Sequence, residues 1–403
     1  MATIGRSTTA HPNPAAIAER LASAEFVHVL GHANGDTLAA AGILGEALRR
    51  SETPVQITIE DRPERAAERG TRAEGTAIAL GLGSGREQGD ADTLAVSRSP
   101  IAMTVHEIAA ELGAEPNPLL ALAGAVAAGA VPSGPPLSEA ADRGVETQPG
   151  LSIPTPDLAV GLAHSGWLHA PYSGSEDETA SFLDSLELSS NRSDEERRRL
   201  ASAVAVSATD GPTPSRAAES IDQAIAPLVI PEDPPVKDEG SALPGARFHT
   251  IGGFADVLES LARAEPGLGT SLVLGHADRA EAIDTWRQHN QAVHRELRTP
   301  EPMEEGHIAV FEGDMADPWT AARLLRDFAT DRPQALARRD HSIVLATTEG
   351  EARNRLASVT AASDVAGRPD LAATTVDRPT SEVLETLTDG GSHTELSTDG
   401  AKR

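Results

Sequence analysis

Residues 26–50 constrain the fold of this 403-residue chain more than any other stretch. A β-branched and aromatic run over residues 26–30 is followed by a polar loop, and an Ala-rich segment with apolar residues at helical spacing then runs from residue 37 to residue 50. The order of strand, polar loop and helix is typical of α/β proteins. Because ligands of open α/β sheets bind at the carboxyl ends of strands, we expect a binding site at this loop.

The loop carries three candidate ligands on alternate residues, His32, Asn34 and Asp36. In an extended loop, alternate side chains point the same way, and imidazole together with oxygen ligands suits a hard divalent cation. The alternative is a structural turn, in which Asn34 and Asp36 cap the following helix and Gly35 adopts a positive φ. On that alternative Asp36, which directly precedes the helical segment, is the expected N-cap.

The charge of the chain limits its partners. It carries 61 Asp and Glu residues against 34 Lys and Arg residues, a formal net charge of −27, and its only lysines are Lys237 and Lys402. This composition is typical of proteins that work in molar salt, as in haloarchaea. Such a surface repels nucleic acid in ordinary buffer, but ~1 M salt shortens the Debye length to about 3 Å. DNA binding therefore stays open if the contacts are local and made by arginine.

Several classes of protein are excluded by what the sequence lacks. Cysteine is absent, so there are no disulfides, no thiolate catalysis and no cysteinyl zinc sites. Neither lysine lies in a P-loop, and there is no Gly-x-Ser-x-Gly nucleophile elbow. No apolar run reaches the ~20 residues that span a bilayer, and the start of the sequence lacks the apolar core of a signal peptide. We therefore expect a soluble, cytoplasmic protein without membrane contact.

Helical and strand patterns alternate along the chain, which predicts an α/β protein with a largely parallel sheet. An acidic, Pro-rich loop at about 230–245 is the clearest linker by composition. The long segment 277–297, dense in Arg, His and Gln, is predicted to be a helix. The other predicted helices are 14–24, 99–113, 118–131, 176–188, 193–207, 253–264, 319–329 and 351–361, and the other predicted strands are 55–59, 76–82, 307–311, 334–337 and 342–346.

The first motif resembles that of the DHH phosphoesterases, and within them the RecJ-like single-strand exonucleases. In that family a Gly-His-x-Asp-x-Asp-Gly sequence follows the first core strand, and its His and both Asp residues help to hold two manganese ions. This chain matches at Gly31, His32 and Asp36, with Asn34 in place of the first Asp and Thr37 in place of the last Gly. The resemblance implies that His32 and Asp36 are catalytic and that Asn34 and Asp36 are metal ligands.

The later motifs of the family are incomplete in this chain. The Asp-His-His motif should lie in segment 90–97, which offers Asp90 and Asp92 as metal ligands but has no His pair. The metal-binding Asp of the fourth motif aligns with Ala128 or Gly129, and the His of the Gly-Gly-Gly-His phosphate clamp is missing near 367–371. A two-metal centre for Mn²⁺ or Mg²⁺ needs about six to eight ligands. These departures predict impaired or lost nuclease activity; the competing prediction is an active manganese-dependent exonuclease or phosphoesterase with an altered ligand set.

The resemblance also implies an architecture and a function. We expect an α/β protein with a parallel-sheet DHH domain over 1–275, a long connecting helix over 276–300, a smaller DHHA1-like α/β lobe over 301–387 and a disordered tail over 388–403. On the first helix of the DHHA1-like lobe, Arg323 and Arg326 are the candidate nucleic-acid-binding residues. The implied function is a RecJ-like role in DNA replication or repair through binding of single-stranded DNA or a replication partner. RecJ-like archaeal relatives associate with the GINS complex, so GINS is the expected partner.

Overall fold

The computed structural model describes residues 13–61, 75–82, 93–96, 100–189, 192–209, 217–225, 227–231, 245, 247–298, 303–361 and 364–389. Within them the chain forms a mixed α/β structure with two lobes, each built on its own β-sheet. The described part of 13–273 is called the N-terminal lobe here, and that of 303–389 the C-terminal lobe. The expected α/β class is confirmed.

The N-terminal lobe contains a four-stranded parallel sheet. Its central strand β1 (Val27–His32) pairs with β2 (Val55–Glu60) on one side and β3 (Thr76–Leu80) on the other, and β3 pairs with the edge strand β4 (Thr93–Val96). All residues of β1 except His28 are buried, as expected for a strand covered by helices on both faces. The carboxyl end of β1, at His32, therefore lies at the edge of the sheet where ligands bind.

Helices of the N-terminal lobe surround this sheet. Helix α2 (Gly35–Arg50) follows β1 directly and packs on α3 (Ile101–Glu111), α4 (Pro118–Ala127) and α10 (Ile251–Ala264). A Cβ atom on Gly124 of α4 would lie 2.4 Å from Ala102 Cβ, so only glycine permits this close packing of α4 on α3. The other elements are α1 (Pro14–Ala22), α5 (Gly134–Ala141), β5 (Glu146–Thr147), α6 (Leu158–Ala163), α7 (Glu176–Ser185), α8 (Asp194–Ala208), α9 (Ala217–Ala224), β6 (Leu228–Val229) and α11 (Pro266–Val273).

Helix α12 (Arg279–Leu297) joins the two lobes, close to the bounds predicted for the connecting helix. The C-terminal lobe then forms a six-stranded mixed sheet in the order β11-β12-β10-β9-β8-β7, in which only the pair β8–β9 is parallel. Its elements are β7 (Met303–Glu305), β8 (Ile308–Glu312), α13 (Pro318–Leu324) with a π-helical turn (Leu325–Ala329), β9 (Gln334–Arg339), β10 (Ser342–Thr347), α14 (Ala352–Val359), β11 (Ala366–Gly367), β12 (Leu371–Thr375) and α15 (Thr380–Asp389).

A continuous hydrophobic core connects the two lobes. Buried residues of the N-terminal lobe, such as Phe254, pack with Trp286 of α12 and with residues on the inner face of the C-terminal sheet. A second, smaller core lies on the outer face of that sheet, beneath α14 and α15. This shared core holds α13 against the carboxyl end of β1, and the space between them is the candidate site.

The differences from the predicted elements have local causes. The parallel sheet predicted for the DHH-like domain is found in the N-terminal lobe, whereas the sheet of the C-terminal lobe is mixed, because β9 and β10 form a hairpin with Asp340 at φ +53°. The elements that were not predicted include strands β4, β5, β6, β7, β11 and β12 and helices α5, α9, α11 and α15. Most of the acidic loop lies outside the described residues, as does segment 390–403, and α15 extends to Asp389. No helix among the described residues is long and apolar enough to span a membrane.

Candidate functional site

A cleft of about 560 Å³ lies between the two lobes at the carboxyl end of β1, and it is called the interlobe cleft here. It contains the predicted first-motif residues and also the predicted nucleic-acid-binding arginines. From the N-terminal lobe the polar lining includes His32, Asn34, Asp36, Glu259 and Arg263. From the C-terminal lobe it includes Trp319, Arg323, Arg326, Arg353, Arg368 and Asp370.

The interlobe cleft reverses the charge balance of the chain. Five arginines line it, against four carboxylates, which are those of Asp36, Glu259, Asp327 and Asp370. Its described lining therefore carries one net positive charge, whereas the whole chain carries −27. A protein this acidic binds an anion only where arginines cluster locally, and the cleft is such a place.

Asn34 caps the helix that follows β1. Its backbone is extended, with φ −156°, and its Oδ1 accepts a hydrogen bond from the backbone N–H of Thr37 at 2.9 Å. The expectation that Asp36 is the N-cap of α2 is therefore wrong. Gly35 does not adopt a positive φ either; it lies in the first turn of α2, and its N–H donates to Glu259 Oε2 at 2.6 Å.

Asp36 caps a different helix. Its side chain is buried, its Oδ2 accepts from the N–H of Ile101 and its Oδ1 from the N–H of Ala102, each at 2.8 Å. Helix α3 begins at Ile101, directly after Pro100, which makes no side-chain capping bond. Since the first N–H groups of a helix have no partner within it, Asp36 supplies from α2 the cap that α3 lacks. Asp36 occupies a metal-ligand position of the family, yet both of its carboxylate oxygens accept hydrogen bonds from the N-terminus of α3.

His32 is almost fully buried, with 1% of its surface exposed. Neither ring nitrogen makes a hydrogen bond of normal geometry to a described residue, and the Trp319 ring centroid lies 5.2 Å away. Burial, and then the charge of Arg263, lower the pKa of His32 to about 3, with the backbone of Glu60 acting in the opposite direction. The imidazole is therefore neutral at neutral pH, and each unpaired buried polar atom costs about 1–3 kcal/mol.

Arg263 lies beside His32 and under the same tryptophan. Its guanidinium is 4.2 Å from the Trp319 ring centroid, and its side chain is only 7% exposed. Nη2 pairs with Glu259 Oε1 at 3.2 Å, while Nη1 is buried without a hydrogen-bond partner among the described residues. The end of β1 therefore combines one cation with several unsatisfied polar atoms.

The two predicted nucleic-acid-binding arginines both line the cleft but differ in their partners. Arg326 is buried in a network, with Nε 2.6 Å from Asp327 Oδ1 and Nη1 3.4 Å from Asp370 Oδ2. Arg323 donates to the carbonyl of Gly166 and lies over the Trp167 ring, without a carboxylate at ion-pair distance in the described part of the chain. Burial lowers the pKa of Arg323, because its positive charge is poorly solvated there.

Arg353 and Arg368 were missed by the sequence reasoning, as were Glu259 and Arg263. Arg368 lies in segment 367–371, where the resemblance places the phosphate clamp, and this arginine stands close to the position of the missing His. Its Nη1 crosses between the lobes to the carbonyl of Ala127 at 3.0 Å, and its Nε lies 3.3 Å from Asp370 Oδ1. Arg353 donates to the carbonyl of Gly367 at 3.2 Å. In a chain with only two lysines, an arginine is the usual source of positive charge, and this was the sequence signal that could have identified Arg353 and Arg368.

The described donors do not fit a Mn²⁺ or Mg²⁺ pair. In the described ranges, no group of three or more His, Asp and Glu side chains is placed to hold a metal ion. Ala128 and Gly129 line the cleft at the position of the family's fourth-motif Asp and offer no side-chain ligand. Asp90 and Asp92 lie outside the described residues, so their assignment as ligands stays a prediction. The arginines of the cleft fit an anion instead.

Comparisons with known proteins define the class of fold. The crystal structure of CDC45 from Entamoeba histolytica matches with a TM-score of 0.52 and 8% identity, over 90% of this chain and 94% of that chain. RecJ in complex with Mn²⁺ from Thermus thermophilus has a TM-score of 0.45 and 14% identity, over 93% of this chain and 53% of that chain. The match to CDC45 shows that the protein has a CDC45-like fold.

The family follows from a sequence relative. An uncharacterized protein of Haloarcula marismortui is 34% identical over 393 residues, which cover 96% of this chain and 98% of that protein. The chain belongs to the same family as this haloarchaeal protein. No family model matches the chain.

Proposed function

We propose that this protein binds the phosphate backbone of single-stranded DNA in the interlobe cleft without cleaving it, in a CDC45- and RecJ-like role in DNA replication or repair. The observation that carries this proposal is Arg323. Its half-buried guanidinium has only a backbone carbonyl as a hydrogen-bond partner among the described residues. Burial lowers the pKa of Arg323 even though the charges of Asp327 and Asp256 act in the opposite direction. The positive charge is therefore only partly compensated, and a bound phosphate would stabilise it.

Two further arginines support the same ligand. Arg353 and Arg368 each donate to a backbone carbonyl at the cleft, through single amino groups at 3.2 and 3.0 Å. Arginine binds phosphate through two parallel N–H···O bonds, which are stronger than bonds to a neutral carbonyl. We therefore expect a strand that enters the cleft to compete for these guanidinium groups.

The cleft favours recognition of the backbone over recognition of the bases. Proteins that bind single strands usually stack bases on exposed aromatic rings. Here the Arg263 guanidinium lies over the Trp319 ring, 4.2 Å from its centroid, and the Arg323 guanidinium lies 5.4 Å from the ring centroid of Trp167. Because a guanidinium lies against each of these rings, we expect the protein to bind single-stranded DNA without sequence preference, since contacts to phosphate carry no sequence information.

The proposal that the protein does not cleave DNA rests on the residues at the positions of the family's metal ligands. Asp36, which the resemblance assigned to catalysis, holds the start of α3 with both carboxylate oxygens. His32 is buried, and the charge of Arg263 beside it disfavours a second cation at this place. The competing function, a manganese-dependent exonuclease, needs a ligand set that includes residues outside the described part of the chain.

Fluorescence anisotropy with a labelled oligo(dT) tests DNA binding, over a range of KCl concentrations up to the molar level. We expect Arg323→Gln and Arg353→Gln to weaken binding roughly tenfold, since a hydrogen bond to a charged group is worth about 1.5–3 kcal/mol. Arg49→Gln is the matched control, because Arg49 is exposed and lies at the far end of α2 from the cleft. Equal affinity of all four proteins would exclude the cleft as the binding site.

Cleavage is tested on the same DNA with Mn²⁺ in molar KCl. We expect no release of mononucleotides. Release that disappears in Asp36→Ala would establish the active exonuclease instead. The GINS complex, predicted as a partner from the resemblance, is a separate hypothesis, and failure of GINS to co-purify with the tagged protein from a haloarchaeal lysate would count against it.

A further inference from the structure

We propose that the deep end of the interlobe cleft, where β1 ends, is a subsite for one phosphoryl group, held by Arg263 and His32 beneath the Trp319 ring. The proposal deepens the proposed function and rests on it, because it assigns a second element of phosphate recognition to the N-terminal lobe. The group is either a phosphate of the bound strand or a free phosphate.

The first observation is that two buried side chains with unpaired nitrogen atoms line this end of the cleft. His32 is 1% exposed, and neither ring nitrogen makes a hydrogen bond of normal geometry to a described residue, although the backbone of Glu60 acts on the ring. The Arg263 side chain is 7% exposed, and its Nη1 has no hydrogen-bond partner among the described residues. Buried polar atoms in native proteins nearly always have partners. Three such atoms at one wall of a cavity therefore indicate a ligand with several hydrogen-bonding oxygens.

The second observation is the sign of the charge. The charge of Arg263 acts on His32 and disfavours a cation beside the imidazole. Two carboxylates share the charge of Arg263: Glu259, whose Oε1 lies 3.2 Å from Arg263 Nη2 and whose Oε2 accepts from the N–H of Gly35 at 2.6 Å, and the buried Asp317. Against burial, the hydrogen bond from His289 and then the charge of Arg263 lower the pKa of Asp317. A phosphoryl group meets these donors with acceptor oxygens, so the site suits an anion where related proteins have been expected to hold metal ions.

The third observation concerns access. The centroid of the Trp319 ring, on the C-terminal lobe, lies 4.2 Å from the Arg263 guanidinium carbon and 5.2 Å from the centroid of the His32 ring. The unpaired nitrogens are shielded from solvent in this arrangement. A ligand therefore reaches them when Trp319 shifts, and the environment of the indole must change on binding.

The test is a titration of the full-length protein with inorganic phosphate in molar KCl, followed by tryptophan fluorescence and by calorimetry. We expect a saturable change in fluorescence that is weakened roughly tenfold or more in Arg263→Gln and in His32→Gln, since each loses a bond to a charged group. Arg49→Gln, which removes an exposed guanidinium far from β1, is expected to match the wild type. Arg263→Lys retains the positive charge but lacks the planar guanidinium, so we expect it to bind phosphate with intermediate affinity. The unfolding midpoint of each variant is measured alongside, which separates a loss of phosphate binding from a loss of folding.

The outcomes distinguish this subsite from the proposed function. Oligo(dT) binding without phosphate binding, or phosphate binding that is unchanged in Arg263→Gln, overturns the subsite and leaves the proposed function intact. If the wild-type protein binds neither oligo(dT) nor phosphate, both proposals are rejected. If phosphate binds at Arg263 and competes with oligo(dT), the subsite holds a phosphate of the strand. If it binds there without competition, the subsite holds a free phosphate.

Discussion

Replacement of Asp36 tests whether its carboxylate caps a helix or binds a metal ion. Asp36→Ala leaves the N–H groups of Ile101 and Ala102 without their acceptor at the buried start of α3, where Pro100 provides no substitute. Each buried N–H without a partner costs about 1–3 kcal/mol, and loss of an N-cap costs about 0.5–2 kcal/mol. These contributions overlap, so we expect the free energy of unfolding to fall by about 3 kcal/mol.

Asp36→Asn retains one carbonyl oxygen and is expected to lose about half as much. Guanidinium unfolding in molar KCl, followed by circular dichroism, measures both changes. The matched control is Asp142→Ala, which removes the same charge from an exposed position at the end of α5 and should change stability by less than ~0.5 kcal/mol. Unchanged stability of Asp36→Ala, together with loss of Mn²⁺ binding in a calorimetric titration, would refute the capping role and restore the metal-ligand assignment.

Three other outcomes follow from the described contacts. Arg326→Ala should lower the free energy of unfolding by about 3–5 kcal/mol, because it leaves Asp327 and Asp370 without their shared partner in a buried network; a smaller loss than in Asp36→Ala would contradict this in denaturant titrations. Burial raises the pKa of Asp256 to about 6 from 3.8, so the folded state holds a proton that the unfolded state releases, and stability should fall by up to ~3 kcal/mol as pH rises from about 4 to 6. Unfolding of Asp256→Asn across this pH range should lack that component, and parallel pH profiles of the two proteins would contradict it. For DNA binding, Arg323→Gln should reduce the slope of log affinity against log salt by about 0.7, the loss of one phosphate contact, and an unchanged slope in anisotropy titrations would exclude that contact.

The sequence alone determined the order and kind of the principal elements. The β-branched run before Gly31 and the apolar spacing after residue 37 predicted β1 and α2, because burial of strands and helices leaves different periods in a sequence. The long polar segment 277–297 predicted α12 within two residues of its observed start. Short elements such as β4 and β11 were missed, because two to four residues carry too little periodicity to predict them.

The candidate site was decided by tertiary structure. The role of Asp36 as a cap depends on Ile101, 65 residues further along the chain. Gly124 leaves the room for this contact, because a Cβ atom there would lie 2.4 Å from Ala102 Cβ and 3.2 Å from Asp36 Oδ1. Arg263 meets Trp319, and Arg368 meets Ala127 across 241 positions, because the shared core brings the two lobes together. Sequence patterns record which face of an element is buried, whereas the partner of a buried charge is set by the packing of distant elements.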